Sequence, residues 1–243
     1  METKNKIKIQ CVWEHNGNDT LLYAANYIGA FTRGESRDLA LGKMQKEVES
    51  YLRWKGEAVP ASEEFEMEIV QEKVSDLNIC DADSDVLFDQ EKGELTPEEY
   101  QKLKALALKS AQSFWELYEK IPQKDESCLP MRKTFYGQVP RTAQEMYEHT
   151  KSVNSYYFGE IGVEADNDGT IYDCRKRGFE LLEKQPDFLK NTIVDGSYGE
   201  EWSLRKVLRR FIWHDRIHAK AMYRMAVRTF GEEKVPDVFG FER

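Results

Sequence analysis

Three of the four histidines in this 243-residue chain are placed where their imidazoles can converge. His214 and His218 are four apart inside Ser203–Phe230, whose spacing predicts one long helix. Residues four apart share a helix face, so these two rings point the same way. His149 falls in an earlier predicted helix, Pro140–Glu160, and an antiparallel neighbour would bring it up against the pair. Three neutral imidazoles with a vacant fourth position form a site for a catalytic divalent metal.

The competing reading is three separate core histidines, each bonded to a carbonyl or carboxylate. Helical projection favours convergence. On the last helix Leu204, Val207, Leu208, Phe211, Met222, Met225 and Ala226 fall on one arc, with His214 and His218 at its edge. Arg205, Arg209, Arg216 and Lys220 form a stripe on the other side, which reads as a solvated face. On the earlier helix His149 shares a face with Met146, Val153 and Tyr156. A buried imidazole cluster needs partners, and one metal satisfies three rings at once. Glu145, one turn before His149, is a further candidate, although a first-turn acid also serves the helix end. His15 reads as a surface residue at a strand end.

Other histidine chemistries fit less well. The zincin motif requires Glu after the first histidine, where this chain has Asp215. Di-iron bundles require Glu-x-x-His on two helices, and positions 146 and 211 are Met146 and Phe211. The His214-Asp215 doublet resembles that of HD-type phosphohydrolases and stands as an alternative. Asp81, Asp83 and Asp85 have calcium-loop spacing, but Val86 and Lys92 occupy the positions that need Gly and Glu.

The elements that must position the histidines follow from pattern and punctuation. Ile7, Ile9, Cys11 and Trp13 alternate, a turn lies at Asn16–Asp19, and Leu22–Ile28 reads as the returning strand. Ser36 caps a helix running to Trp54, and alternation resumes from Phe65 to Gln71. This is a β-β-α-β module over residues 5–73. An acidic connecting segment, 74–95, follows. From residue 96 to 243 the chain is expected to be an all-α four-helix bundle: Thr96–Ile121, Pro140–Glu160, Asp173–Gln185 and Ser203–Phe230. The fold class is therefore α+β. The connection Gly159–Tyr172 is expected to be mobile.

A net charge of −9 argues against general binding of nucleic acid or anionic membranes. No apolar run approaches a membrane span, the first residues lack a signal peptide's apolar stretch, and four dispersed cysteines suit a reducing compartment. These features predict a cytoplasmic protein. No phosphate-cradling glycine loop or nucleophile elbow is present.

The stretches Pro140–His149 and Trp202–His218 resemble the DinB superfamily of metal-binding four-helix bundles. That resemblance covers about Glu94–Phe230. It implies His149, His214 and His218 as metal ligands and an open divalent site, with zinc expected and nickel or iron as alternatives. It also implies a metal-dependent enzyme that activates water or a thiol, as a hydrolase or a thiol-dependent S-transferase or isomerase. The substrate would be a small molecule or a thiol, and a homodimer is possible. A non-catalytic metal-binding sensor or interaction protein is the other reading. The stretch Gly29–Ala40 resembles the HicB-like fold, which implies a fold for residues 5–73 and no activity.

Overall fold

The computed structural model describes residues 6–61, 65–134 and 137–241. The chain is mixed α+β, with a small amino-terminal sheet and helices after it. It divides into two compact units, one comprising residues up to Gln90 together with those from Phe239 on, the other Glu91–Val238.

The first unit is a four-stranded sheet with one helix. Its strands are β1 (Ile7–His15), β2 (Thr20–Ala24), β3 (Phe31–Gly34) and β4 (Phe65–Val74), in the order β3-β2-β1-β4. The expected β-β-α-β order is thus corrected to β-β-β-α-β. The returning strand stops at Ala24, because a turn closed by Tyr27 N–H to Ala24 O (3.1 Å) and Ala30 N–H to Tyr27 O (2.9 Å) reverses the chain. Gly29 takes φ 100° there, a conformation that a side chain would resist. Helix α1 (Arg37–Lys55) begins at Ser36, whose hydroxyl accepts from Leu39 N, and packs on β2 and β3. It carries the chain across so that β4 lies parallel to β1. The β1–β4 register slips by one after Cys11, leaving Val70 as an extra residue in β4, which forms one edge of the sheet. Ile69, Val70 and Val74 are exposed along it.

Residues 75–90 do not run free as a connector. Glu14 on β1 is fully buried and accepts from Ser84 Oγ (2.6 Å), Asp85 N (3.1 Å) and Tyr23 Oη (3.2 Å). Gln71 on β4 adds bonds to Leu87 O and Asp89 N. Residues 74–90 of the acidic stretch are therefore part of the first unit, and only 91–95 belong to the second.

The second unit contains helices α2 (Pro97–Lys120), α3 (Ala143–Gly159), α4 (Ile171–Leu182) and α5 (Leu204–Phe230). Each starts at a hydroxyl cap, Thr96, Thr142, Thr170 or Ser203, and the three threonines belong to full capping boxes closed by Glu99, Glu145 and Asp173. α5 packs against α2 and α3, and α4 packs against α2 and α3. Phe158, Phe179 and Phe211 meet where α3, α4 and α5 converge, with ring centroids 5.1–6.2 Å apart. Gly178 admits this packing, since a methyl group there would overlap the Phe158 ring. Across the interior Arg175 of α4 grips Asp215 of α5 with two bonds, 2.5 and 3.0 Å, and its guanidinium lies 4.3 Å from the Phe211 centroid.

Two further expectations are corrected. The loop before α4 is pinned rather than loose: Asn154 Nδ2 donates to Asp166 O, Asn167 bonds Ser152 and Ser155, and Arg177 pairs with Asp166. The stripe Arg205, Arg209, Arg216 and Lys220 is not a solvated face: Arg209 and Arg216 are buried and Arg205 and Lys220 half-buried. Lys206 and Arg210 are buried as well; Arg209 pairs with Glu91, and Lys206 and Arg210 share Glu200. A wheel shows direction but not the acids that meet these side chains from distant sequence. Among the described residues no helix is long and apolar enough to cross a membrane.

The Arg175–Asp215 pair is fully buried on both sides. Removing one partner strands a charge, so Arg175→Met is expected to destabilise the chain by about 3–5 kcal/mol. Replacing both, as in R175M/D215L, should restore most of that loss, because two desolvated ions give way to apolar packing. Urea unfolding of the single and double variants measures the difference.

Candidate metal centre

The site is built by two facing helices. α3 contributes His149, and α5 contributes His214 and His218 one turn apart. Their nitrogen ligand atoms lie within 4.8 Å of one another. Ring centroids are 5.4 Å apart for His149–His214, 4.6 Å for His149–His218 and 4.4 Å for His214–His218. Imidazole binds zinc at about 2.0–2.1 Å, so tetrahedral ligands are separated by about 3.3 Å. The difference is of a size that side-chain torsions accommodate.

Burial grades across the site. His214 is buried, His218 half-buried and His149 exposed, so the cluster opens to solvent on the His149 side. His214 Nδ1 is buried with no hydrogen-bond partner. A buried imidazole nitrogen left bare is costly, and a cation is the partner the geometry offers. Burial depresses the pKa of all three rings, that of His218 to about 3, with His149 adding to it. For His214 burial comes first, followed by the neighbouring His218, His149, Arg210 and Arg175. His149 is exposed as a residue, yet the protein atoms around its imidazole still lower its pKa. All three are therefore neutral near pH 7, the form that binds metal.

The other candidates have different work. Glu145 closes the cap of α3, accepting from Arg141 N (2.7 Å) and Thr142 N (3.2 Å), and those bonds lower its pKa. Asp215 points away from the histidines into the Arg175 pair, so the doublet of the HD-type reading lacks a free carboxylate. Cys174 is buried, its thiol bonded to Ile171 O (3.4 Å), and burial raises its pKa. His15, in the first unit, stacks on Trp13 and meets Glu72 at 3.0 Å. Among the described residues no fourth His, Cys, Asp or Glu joins the three-histidine group.

The neighbour on α3 differs from expectation. Tyr156 is partly exposed at 36 %, while Tyr157 is buried at 3 % and stands edge-on to His214 with centroids 5.9 Å apart. The spacing 149, 153, 157 continues one ridge of the helix and would have found it. Behind Tyr157, the Arg210 guanidinium lies over the rings of Tyr157, Trp202 and Trp213 at 5.0–5.5 Å. Lys206, Arg210, His214 and His218 thus form a single row along α5, four residues apart.

The pH dependence has a definite sign. Each folded pKa is below the ordinary imidazole value of about 6.5. In the metal-free protein these histidines contribute stability that is present above that pH and is lost as pH falls toward the folded values, about 3 for His218. Denaturant midpoints should therefore fall between pH 6.5 and pH 4, and His218→Leu should flatten that slope. A slope unchanged by the substitution would contradict the neutral buried cluster.

In comparisons of the chain with family models, with curated proteins and with solved structures, nothing matched.

Proposed function

We propose that the unit Glu91–Val238 is a DinB-like four-helix bundle carrying one divalent metal on His149, His214 and His218, and that it is a metal-dependent enzyme. The carrying observation is the cluster itself: three imidazole donors within 4.8 Å, no fourth protein ligand among the described residues, and a buried His214 nitrogen without a partner. Structural zinc sites are closed by four protein ligands, whereas catalytic ones keep a position for water or substrate. Zinc suits three imidazoles best, with nickel or iron as alternatives. Bound there, the metal would lower the pKa of a coordinated water or thiol, or polarise a substrate carbonyl.

The residues of this chain supply the rest. The neutral imidazoles leave the cation's charge uncompensated, which favours an anionic nucleophile. The half-open edge at His149 admits a small molecule, and the packed side at His214 excludes water. This supports hydrolysis or thiol-dependent S-transfer or isomerisation of a small substrate. For the first unit we propose a HicB-like fold, carried by the passage from strand to helix through Gly29–Ala40, with no activity assigned to it.

Protein purified without a histidine tag should carry about one zinc, nickel or iron per chain after reconstitution. His149→Ala and His218→Ala should each sharply reduce that content while helicity survives. Unchanged stoichiometry in both variants would sink the proposal. Loaded with cobalt, the wild type should change its visible bands on addition of small thiols or anions. A closed four-ligand spectrum indifferent to all of them would favour a structural metal instead. A panel of thiol-transfer and hydrolase substrates then identifies the reaction.

A further inference from the structure

Arg210 stands one turn before His214 on α5 and is buried. A guanidinium keeps its charge even when buried. Rings fix this one in place. Its Cζ lies 5.5 Å from the Tyr157 centroid, 5.5 Å from that of Trp202 and 5.0 Å from that of Trp213. Two of those rings also neighbour His214, Tyr157 with centroids 5.9 Å apart and Trp213 at 6.3 Å. The aromatic box around the cation thus shares two walls with a candidate metal ligand.

The charge is felt at that ligand. Burial is the largest cause of the lowered His214 pKa, then His218 and His149, and Arg210 comes next, ahead of Arg175. Glu200 is shared, its Oε1 2.9 Å from Lys206 Nζ and 3.7 Å from Arg210 Nη2, so the carboxylate sits closer to the lysine. Tyr157, Trp202 and Trp213 are all buried, so protein rather than salt water surrounds the guanidinium and screening is weak. A field that opposes a proton on His214 favours negative charge beside it.

We propose that Arg210 is a specificity-determining residue of the metal centre: its fixed charge makes the metal's remaining position select anionic ligands over neutral ones. The inference rests on the metal reading above and names the charge class of the substrate. Arg210 acts through its field and need not touch the ligand. For a unit charge on the order of 10 Å away, in a medium of effective dielectric about 20, the effect on an anion's affinity is about ten-fold.

The test uses the full chain loaded with cobalt, as wild type, as Arg210→Met, which keeps an apolar stem, and as Arg210→Lys, which keeps the charge. Azide is titrated as the anion, and imidazole, held above its own pKa, as the neutral ligand, while the visible spectrum is recorded. Arg210→Met should hold cobalt, bind azide about ten-fold more weakly and bind imidazole as wild type does. Arg210→Lys should retain most of the preference for azide. A role in packing alone would weaken both ligands together, so the azide-to-imidazole affinity ratio carries the answer. An unchanged ratio in Arg210→Met, with cobalt bound, overturns the Arg210 assignment and leaves the metal reading standing. Failure of the wild type to bind cobalt overturns both. If Arg210→Met does not fold, Glu200→Gln decides by the opposite sign. Removing the shared carboxylate should raise the ratio, and a ratio that stays or falls overturns the proposal.

Discussion

Burying a cation on a packed helix requires an anion to meet it, and α5 imposes that requirement repeatedly. Lys206, Arg209 and Arg210 are all buried on a helix whose one acid is Asp215. Their counter-charges come from elsewhere: Glu91 at the start of the unit for Arg209, and Glu200 in the loop before α5 for Lys206 and Arg210. Asp215 in turn draws Arg175 from α4. Misplacing any of these segments would leave a charge in a low-dielectric interior, which costs more than most packing errors. The ion pairs thus act as a registration device, holding the rotation of α5 about its axis. That rotation decides whether His214 and His218 face α3.

Against this frame the histidines themselves need little local support. α3 is set by its own capping box and by Tyr147, whose hydroxyl accepts from Ile171 N at 3.1 Å and so ties the start of α4 to α3. The aromatic cluster of Phe158, Phe179 and Phe211 fills the layer beside His214. The site lies where an apolar layer ends and a polar mouth begins, a boundary at which imidazoles can be both desolvated and reached from water.

Much of this was legible in the sequence because its signals are local. Thr96, Pro97 and Glu99 announce the start of α2, Ser203 that of α5, and the four-residue spacing of His214 and His218 needs only one helix to place both rings. The convergence with His149 was legible through helix faces. What was hidden is non-local or short. β3 has four residues and no period to detect, so the pattern gives no separate strand there. The burial of Arg209 depends on Glu91, 118 positions away, which a wheel of α5 cannot contain. Tyr156, placed on the His149 face by its seven-residue spacing, is exposed, and the buried residue is Tyr157, about one helical step, 100°, away.

The extra residue in β4 bears on how copies of this chain behave in a crowded solution. β4 is long and carries exposed Ile69, Val70 and Val74 at the margin of its sheet, the kind of margin that recruits another strand. Val70 breaks the even spacing of hydrogen-bonding groups along it. A strand approaching that margin would find a regular ladder on either side of Val70 but not across it. The bulge therefore divides a ten-residue template into two shorter ones, which weakens the margin as a docking edge for a partner strand.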